Sequence, residues 1–394
     1  MRRSGAASDG QRRIGGERLC QVHTVAVIGA GIVGASAARR LAAAGVQVTV
    51  VDDGAVGGAT AAGAGIIATI SSRPTDDEIA AFRFAAARHY PELIEICDAA
   101  GLFGHSYAPV GQLSVALDEA EAAKLPAEFA RAQALVGHFG PACVGVPELL
   151  TGADIAGRFP LIAPTTGGLW LPGVARVDGH AMRNALLQLA FRSGTRLLHG
   201  TARLAFRGGS VIGVRTGQQL LEVDAVVVAA GAWSGELTDV LGPRVQPQRG
   251  QIVHLHLPGA SALPTLDTFA GHYLLTFPGD RVVIGATRET GSGFDTAVTA
   301  GGIAQVLRQG LSLVPSLAAG TWIETRVGLR PASHDGFPYL GPAPGVDGLW
   351  LATGMGPSGL TLGPYCGSVI ADHVLASLGG GSAPAIPAAF DPAR

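Results

Sequence analysis

The stretch from Val25 to Asp52, VAVIGAGIVGASAARRLAAAGVQVTVVD, restricts what this chain can fold into more than any other. Val25–Ile28 is a short apolar run that reads as a buried strand. Gly29, Gly31 and Gly34 follow as G-x-G-x-x-G, with Ile32 and Val33 inside the motif, and after them an alanine-rich helical run reaches about Ala44. Gly45 stops it, and a second strand, Val46–Val51, ends in Asp52. In that order the pieces are a dinucleotide-binding βαβ unit. Gly29 makes the tight turn out of the strand, Gly31 lets backbone N–H groups approach a pyrophosphate, and Gly34 lets helix and strand pack closely. The helix N-terminus turns partial positive charge toward the phosphates. Asp52 offers its carboxylate to two ribose hydroxyls.

The chain has 394 residues, 47% hydrophobic and 15% charged, enough for two domains and a large core. A net charge of -2 and a pI near 6.6 provide no basic field for nucleic acid. Cys20, Cys97, Cys143 and Cys366 lie far apart with no C-x-x-C, which points to neither a zinc site nor a disulfide scaffold and fits a reducing compartment. Residues 1–21 are polar, Arg- and Gly-rich and aperiodic, and read as a disordered tail. Arg2-Arg3 is followed by no apolar core of a signal peptide. No apolar run reaches membrane-spanning length; Ala225–Ala230 is too short and reads as a buried strand. A cytoplasmic protein is expected, with peripheral contact at the inner membrane face left open.

The loop Gly54–Ile67, GAVGGATAAGAGII, is almost all Gly, Ala and Thr. Backbone this poor in side chains is expected against a flat ligand; a flexible linker has the same composition. Asp76 to Ala100 reads as a helix, Val110–Leu117 as a strand and Asp118–Val136 as a solvated helix carrying Lys124, the sole lysine. His180–Arg192 reads as a helix, and Thr195–Leu198, Ala202–Phe206 and Ser210–Thr216 as short strands. Asp224–Ser234, DAVVVAAGAWS, is a buried strand whose end at Ala230 and Gly231 fits a cofactor crevice. The nucleotide domain thus resumes far from its start, and a second domain is inserted between. From Arg249 the runs GQIVHLHL, HYLLTFP and DRVVIGAT alternate like an antiparallel sheet. His254 and His256 share a parity, read as an ordinary sheet face; no third ligand stands near, and no metal site is expected. Gly301–Ser316 and Leu360–Leu378 read as helices, the latter with Pro364 in its first turn, and 379–394 as a loose tail.

These pieces, in this order, resemble the D-amino acid oxidase superfamily of FAD-dependent oxidoreductases, particularly glycine oxidases and bacterial D-amino acid dehydrogenases. The resemblance spans roughly Val22 to Leu378. It is carried by the glycine motif with Asp52, the loop Thr60–Ile67, Val177-Asp178, DAVVVAAGAWS, Arg249-Gly250-Gln251, IGATRE, GLRP with DGFPYLGP, and ATG…GLTLGP. It implies an α/β fold: a Rossmann-like FAD-binding domain from 22–85, 172–243 and 326–384, and an inserted antiparallel-sheet α+β substrate domain from 86–171 and 244–325, with 385–394 as a tail. FAD would be held by Gly29, Gly31, Ile32, Val33, Gly34 and Asp52, with Thr60, Gly65, Ile66 and Ile67 along the diphosphate and flavin. Gly354, Met355, Gly356, Gly359, Leu360 and Thr361 would cover the isoalloxazine. The family's carboxylate-binding arginine falls on Arg330 and its substrate-domain tyrosine on Tyr273; a strand-bridging arginine and a sheet-packing tyrosine are the structural alternatives.

Two departures matter. Glycine oxidases carry a second arginine after the ATG-like triplet, where this chain has MGPSG with Met355 and Pro357. Related enzymes attach FAD through a cysteine near GLRP, where none lies, so the FAD is expected to be non-covalent. The resemblance implies oxidation of an amino acid, a D-amino acid or a cyclic secondary one, to its imino acid by hydride transfer to flavin N5. Electrons would pass to a quinone or carrier protein, because a lysine that activates oxygen has no good candidate in Lys124. The alternatives are a glycine- or sarcosine-type oxidase and a flavoprotein subunit of a larger dehydrogenase.

Overall fold

The computed structural model describes residues 22–70, 76–141, 144–238, 242 and 244–394. The expected tail 1–21, with Cys20, and Cys143 lie outside the described residues. At the centre stands β1 (Thr24–Ile28), followed by α1 (Ile32–Ala43) and β2 (Gln47–Asp52). β1 pairs in parallel with β2 on one side and with Ala225–Val228 on the other, Val27 lying between Val50 and Val227. Leu349–Thr353 and Arg196–His199 extend the sheet in parallel, and Tyr339–Pro342 closes one edge antiparallel. A parallel sheet covered on both faces needs apolar side chains at successive positions, and Val25, Ala26 and Val27 are all fully buried. Alternate residues serve opposite faces. Val25 and Val27 meet α1, the helix Gly179–Arg192 and the closing helix Gly359–Ser377, whereas Ala26 and Ile28 meet a three-stranded sheet through Val211 and Val214.

α1 and the closing helix approach closely because small residues face each other. A Cβ on Gly367 would stand 2.3 Å from the Val33 carbonyl oxygen. The Ser36 hydroxyl donates to the Pro364 carbonyl at 2.6 Å.

A second, nine-stranded sheet gathers two distant stretches of chain. Gln112–Ala116 pairs in parallel with Thr265–Thr268, and antiparallel neighbours continue through Tyr273–Phe277, Arg281–Gly285 and Val245–His256. Thr321–Ser333 runs antiparallel along the whole of Val245–His256. The mixed α/β architecture with a Rossmann-like sheet and a largely antiparallel second sheet is the one the sequence implies.

Several expectations are corrected. The boundary at 325/326 falls inside the strand Thr321–Ser333. The boundary at 85/86 falls inside α2 (Asp77–Ala99), whose Tyr90, Leu93 and Cys97 share the core of Val25 and Val27. The helix expected over Asp118–Val136 is two, Glu119–Ala122 and Leu125–Phe139, broken before Pro126. His254 is buried, whereas His256, the last residue of the strand Val245–His256, is exposed. Burial also pulls the His254 imidazole down to about 4. The tail is not loose: Phe390 is 1% exposed and packs edge-on against Phe82, and Arg394 binds Asp335 while its guanidinium lies 4.0 Å from the centre of the Tyr339 ring. No described helix is long and apolar enough to cross a membrane.

Candidate active site

The sheet's C-terminal edge opens into a cavity of about 850 Å³, lined by the glycine turn at one place and by Arg330 and Tyr273 at another. That volume lies in the upper part of the range for ligand sites. Each glycine of the motif has a measurable reason. Gly29 has φ +102°, and a Cβ there would meet the Ala229 carbonyl oxygen at 2.4 Å. A Cβ on Gly34 would meet the Gly29 carbonyl oxygen at 1.9 Å, so only glycine lets helix and turn touch. A Cβ on Gly31 would meet nothing closer than the Thr60 hydroxyl at 3.5 Å. Gly31 lines the cavity, so its missing side chain leaves room for a ligand.

Asp52 ends β2 beside this turn. One carboxylate oxygen accepts from the Ala30 N–H at 2.6 Å and the other from the Gly54 N–H at 2.8 Å. Each oxygen keeps a lone pair for a further donor. The Thr60 hydroxyl accepts from the Ile32 N–H at 3.1 Å, fixing the small-residue loop to the start of α1. Neither α1 nor the closing helix has a side-chain cap or an acidic residue in its first turn, and the first residues of both line the cavity. Two positive helix ends therefore face one space.

At the other place, Arg330 projects from Thr321–Ser333. Its Nη1 donates to the Thr287 carbonyl at 3.0 Å. It lies flat on the neighbouring strand at Gly250, where a Cβ would stand 2.5 Å from Nη1. Tyr273 is its electrostatic neighbour, and a Cβ on Gly285 would collide with that ring at 2.5 Å. Burial raises the Tyr273 phenol above its ordinary value, with Arg330 and Arg288 pulling the other way. Burial lowers the Arg330 guanidinium without removing its charge.

The structure brings together most of the residues the sequence singled out. Ile32, Val33, Gly65, Ile66, Ala230 and Gly231 line the same cavity, as do Met355, Gly356, Gly359 and Leu360. Four do not reach it. Gly34 packs against the turn instead. Ile67 is 2% exposed in the core. Gly354 has φ +76° and makes a turn against Tyr339. Thr361 is buried, its hydroxyl stapling the closing helix to the Ile66 carbonyl at 3.2 Å. Lys124 also stands apart, its ammonium 5.6 Å from the centre of the Phe269 ring.

Sequence reasoning missed Arg288, which lines the cavity beside Tyr273; its only signal was the IGATRE run that contains it. It also missed Arg83 on α2, which donates to the Ala68 and Thr69 carbonyls and to the Ser358 hydroxyl, tying together segments adjacent to the cavity-lining Ile66 and Pro357. Asp178, in the Val177-Asp178 marker, caps the helix Gly179–Arg192 and pairs with Arg281 at 2.8 Å. The described cysteines, Cys97 and Cys366, are buried away from the cavity. Among the described residues no group of three or more potential metal ligands lies together.

The family model described as FAD dependent oxidoreductase matches residues 24–373. The chain is 35% identical over 354 residues to the uncharacterized oxidoreductase YurR of Bacillus subtilis, covering 89% of this chain and 94% of that one. It is 33% identical over 356 residues to a glycine oxidase of Pseudomonas aeruginosa, covering 88% and 93%. The solved structure of iminodiacetate oxidase from Chelativorans superposes with a TM-score of 0.86 at 37% identity, covering 93% of this chain and 98% of that one. The open face of Gly31, the free lone pairs of Asp52 and the two uncapped helix ends fit a dinucleotide diphosphate and ribose. The chain belongs to the FAD-dependent oxidoreductase family of D-amino acid oxidase, and FAD is its cofactor.

Proposed function

We propose that the protein oxidises an amino acid at its α carbon to the imino acid, which water hydrolyses to the oxo acid. The observation that carries this reading is the convergence of Arg330 and Tyr273 on the cavity that holds the glycine turn. When bound, FAD supplies a two-electron acceptor for the α-hydrogen and its electron pair. The chain's own residues position the substrate. Arg330, anchored on Thr287 and backed by Gly250, presents a planar fork to a carboxylate. Tyr273, kept protonated by burial, donates from its hydroxyl to the same group. Met355, uncharged and buried, makes its own part of the cavity wall bulky and apolar, which favours a D-amino acid or a cyclic secondary amino acid over glycine. Positioning of this kind needs no strong protein base.

Electrons then pass to a quinone or carrier protein, because no lysine lines the cavity. FAD is held without a covalent bond, because no described cysteine lines it either. A second reading, an oxidase acting on glycine or another small amine and producing hydrogen peroxide, is favoured by the names of the relatives, a glycine oxidase and an iminodiacetate oxidase. Anaerobic mixing with D-amino acids, L-amino acids, proline and sarcosine tests the substrate class, with flavin bleaching as the signal. Bleaching by none of them rejects the amino-acid reading. Turnover of the best substrate with oxygen as fast as with a dye selects the oxidase.

A further inference from the structure

We propose that Arg288 holds a second carboxylate of the substrate, so that the enzyme prefers amino acids carrying two carboxylates; this rests on the reading of Arg330 as the partner of the first. The two guanidinium groups arise from adjoining places. Arg330 Nη1 is bonded to the carbonyl of Thr287, the residue immediately before Arg288. Both arginines line the cavity, as does Tyr273. Arg288 is exposed, and its Nη2 lies near Gly271, which also lines the cavity.

Neighbouring arginines of this sheet are engaged. Arg249 is paired with Glu289 and Asp295, Arg281 with Asp178, and Arg326 with Glu324. Arg288 forms no hydrogen bond or ion pair among the described residues. Asp267, the acid whose charge reaches it, shares the Gln112 amide at 3.4 Å and forms no ion pair with it. A substrate with one carboxylate matches Arg330 and leaves Arg288 without an anion. A second carboxylate supplies a planar, charge-assisted partner for that fork. The second carboxylate can hang from the nitrogen, as in iminodiacetate, or from the side chain, as in D-aspartate. With iminodiacetate the α C–H bond breaks, its hydrogen and electron pair pass to oxidised FAD, and the nitrogen lone pair closes C=N. Water then adds, one proton is released and the C–N bond breaks, giving glyoxylate and glycine.

The test uses the FAD-loaded enzyme and has a readout independent of turnover. Diglycolate has two carboxylates and an ether in place of the amine; methoxyacetate has one carboxylate. Their Kd values are read from the perturbed flavin spectrum. Wild type should bind diglycolate about tenfold or more tighter than methoxyacetate, and Arg288→Gln should remove most of that preference. The kcat/KM ratios of iminodiacetate to sarcosine and of D-aspartate to D-alanine are measured in parallel. A fall of about tenfold or more in Arg288→Gln, partly restored in Arg288→Lys, is expected on the branch that carries the second carboxylate. The first ratio falling places it on nitrogen, and the second places it on the side chain. No preference for diglycolate in wild type, or both ratios unchanged in Arg288→Gln, overturns the proposal. Arg330→Lys with undiminished turnover of the single-carboxylate substrates instead overturns the underlying reading of Arg330.

Discussion

Arg330 shows how one side chain depends on what its neighbours lack. Its fork is anchored at the Thr287 carbonyl and rests on Gly250, whose backbone is not in a region reserved for glycine. If Arg330 pairs with a substrate carboxylate in a closed site, removing it leaves that charge buried and unpaired, a loss on the order of 3–5 kcal/mol. Arg330→Ala should therefore lower kcat/KM by roughly 10²–10⁴. Arg330→Lys should recover only part, because one ammonium cannot reproduce two parallel bonds. FAD content and Tm should change little in both. An alanine variant with wild-type kcat/KM would make Arg330 a strand-bridging residue. Gly250→Ala gives a second view of the same contact. Its methyl group would displace the guanidinium without deleting any polar group, so kcat/KM should fall while urea stability shifts by at most about 1–3 kcal/mol. Equal loss of stability and no loss of kcat/KM would contradict a positioning role.

The closing helix illustrates the element scale. Pro364 lies beyond the first turn of Gly359–Ser377, inside the helix rather than at its start. It has no N–H, so the Leu360 carbonyl four residues earlier loses its usual donor. The Tyr90 hydroxyl, reaching from α2, donates to that carbonyl instead. Burial raises the Tyr90 phenol, which keeps it a donor throughout the ordinary pH range. Tyr90→Phe leaves a buried acceptor unpaired and should cost about 1–3 kcal/mol of stability. Adding Pro364→Ala restores an N–H for Leu360, so the double variant should lose less than Tyr90→Phe alone in urea titration. Additive losses would show that the two residues act separately. Leu360 lines the cavity, so this repair also holds one of its walls.

For the whole molecule, the cavity joins the two sheets around one cofactor site. The purified protein should be yellow, and acid precipitation should release intact FAD into the supernatant. Colour retained in the pellet would show a covalent bond. Asp52→Ala should weaken FAD retention, since each hydrogen bond to a charged acceptor is worth about 1.5–3 kcal/mol. The carboxylate also holds the Ala30 and Gly54 N–H groups, so the variant loosens the glycine turn as well.

What the sequence by itself determined is local. β1, the glycine turn, α1 and β2 follow from periodicity and from glycines whose neighbours leave no room for a Cβ, and their order alone specifies a parallel nucleotide-binding sheet. The helices over Asp76–Ala100 and His180–Arg192 are legible for the same reason, while Asp76 and Asp178 prove to be their caps, each acting within three residues. What only the tertiary structure decided involves residues far apart in the chain. The strand pairing that sets Gly250 under Arg330 and Arg288 beside it depends on the register of several strands. The docking of Phe390 and Arg394 depends on an aromatic and anionic face assembled from Phe82, Tyr339 and Asp335. Such contacts have no sequence period, because they are selected by packing between elements and not by the conformation of any one of them.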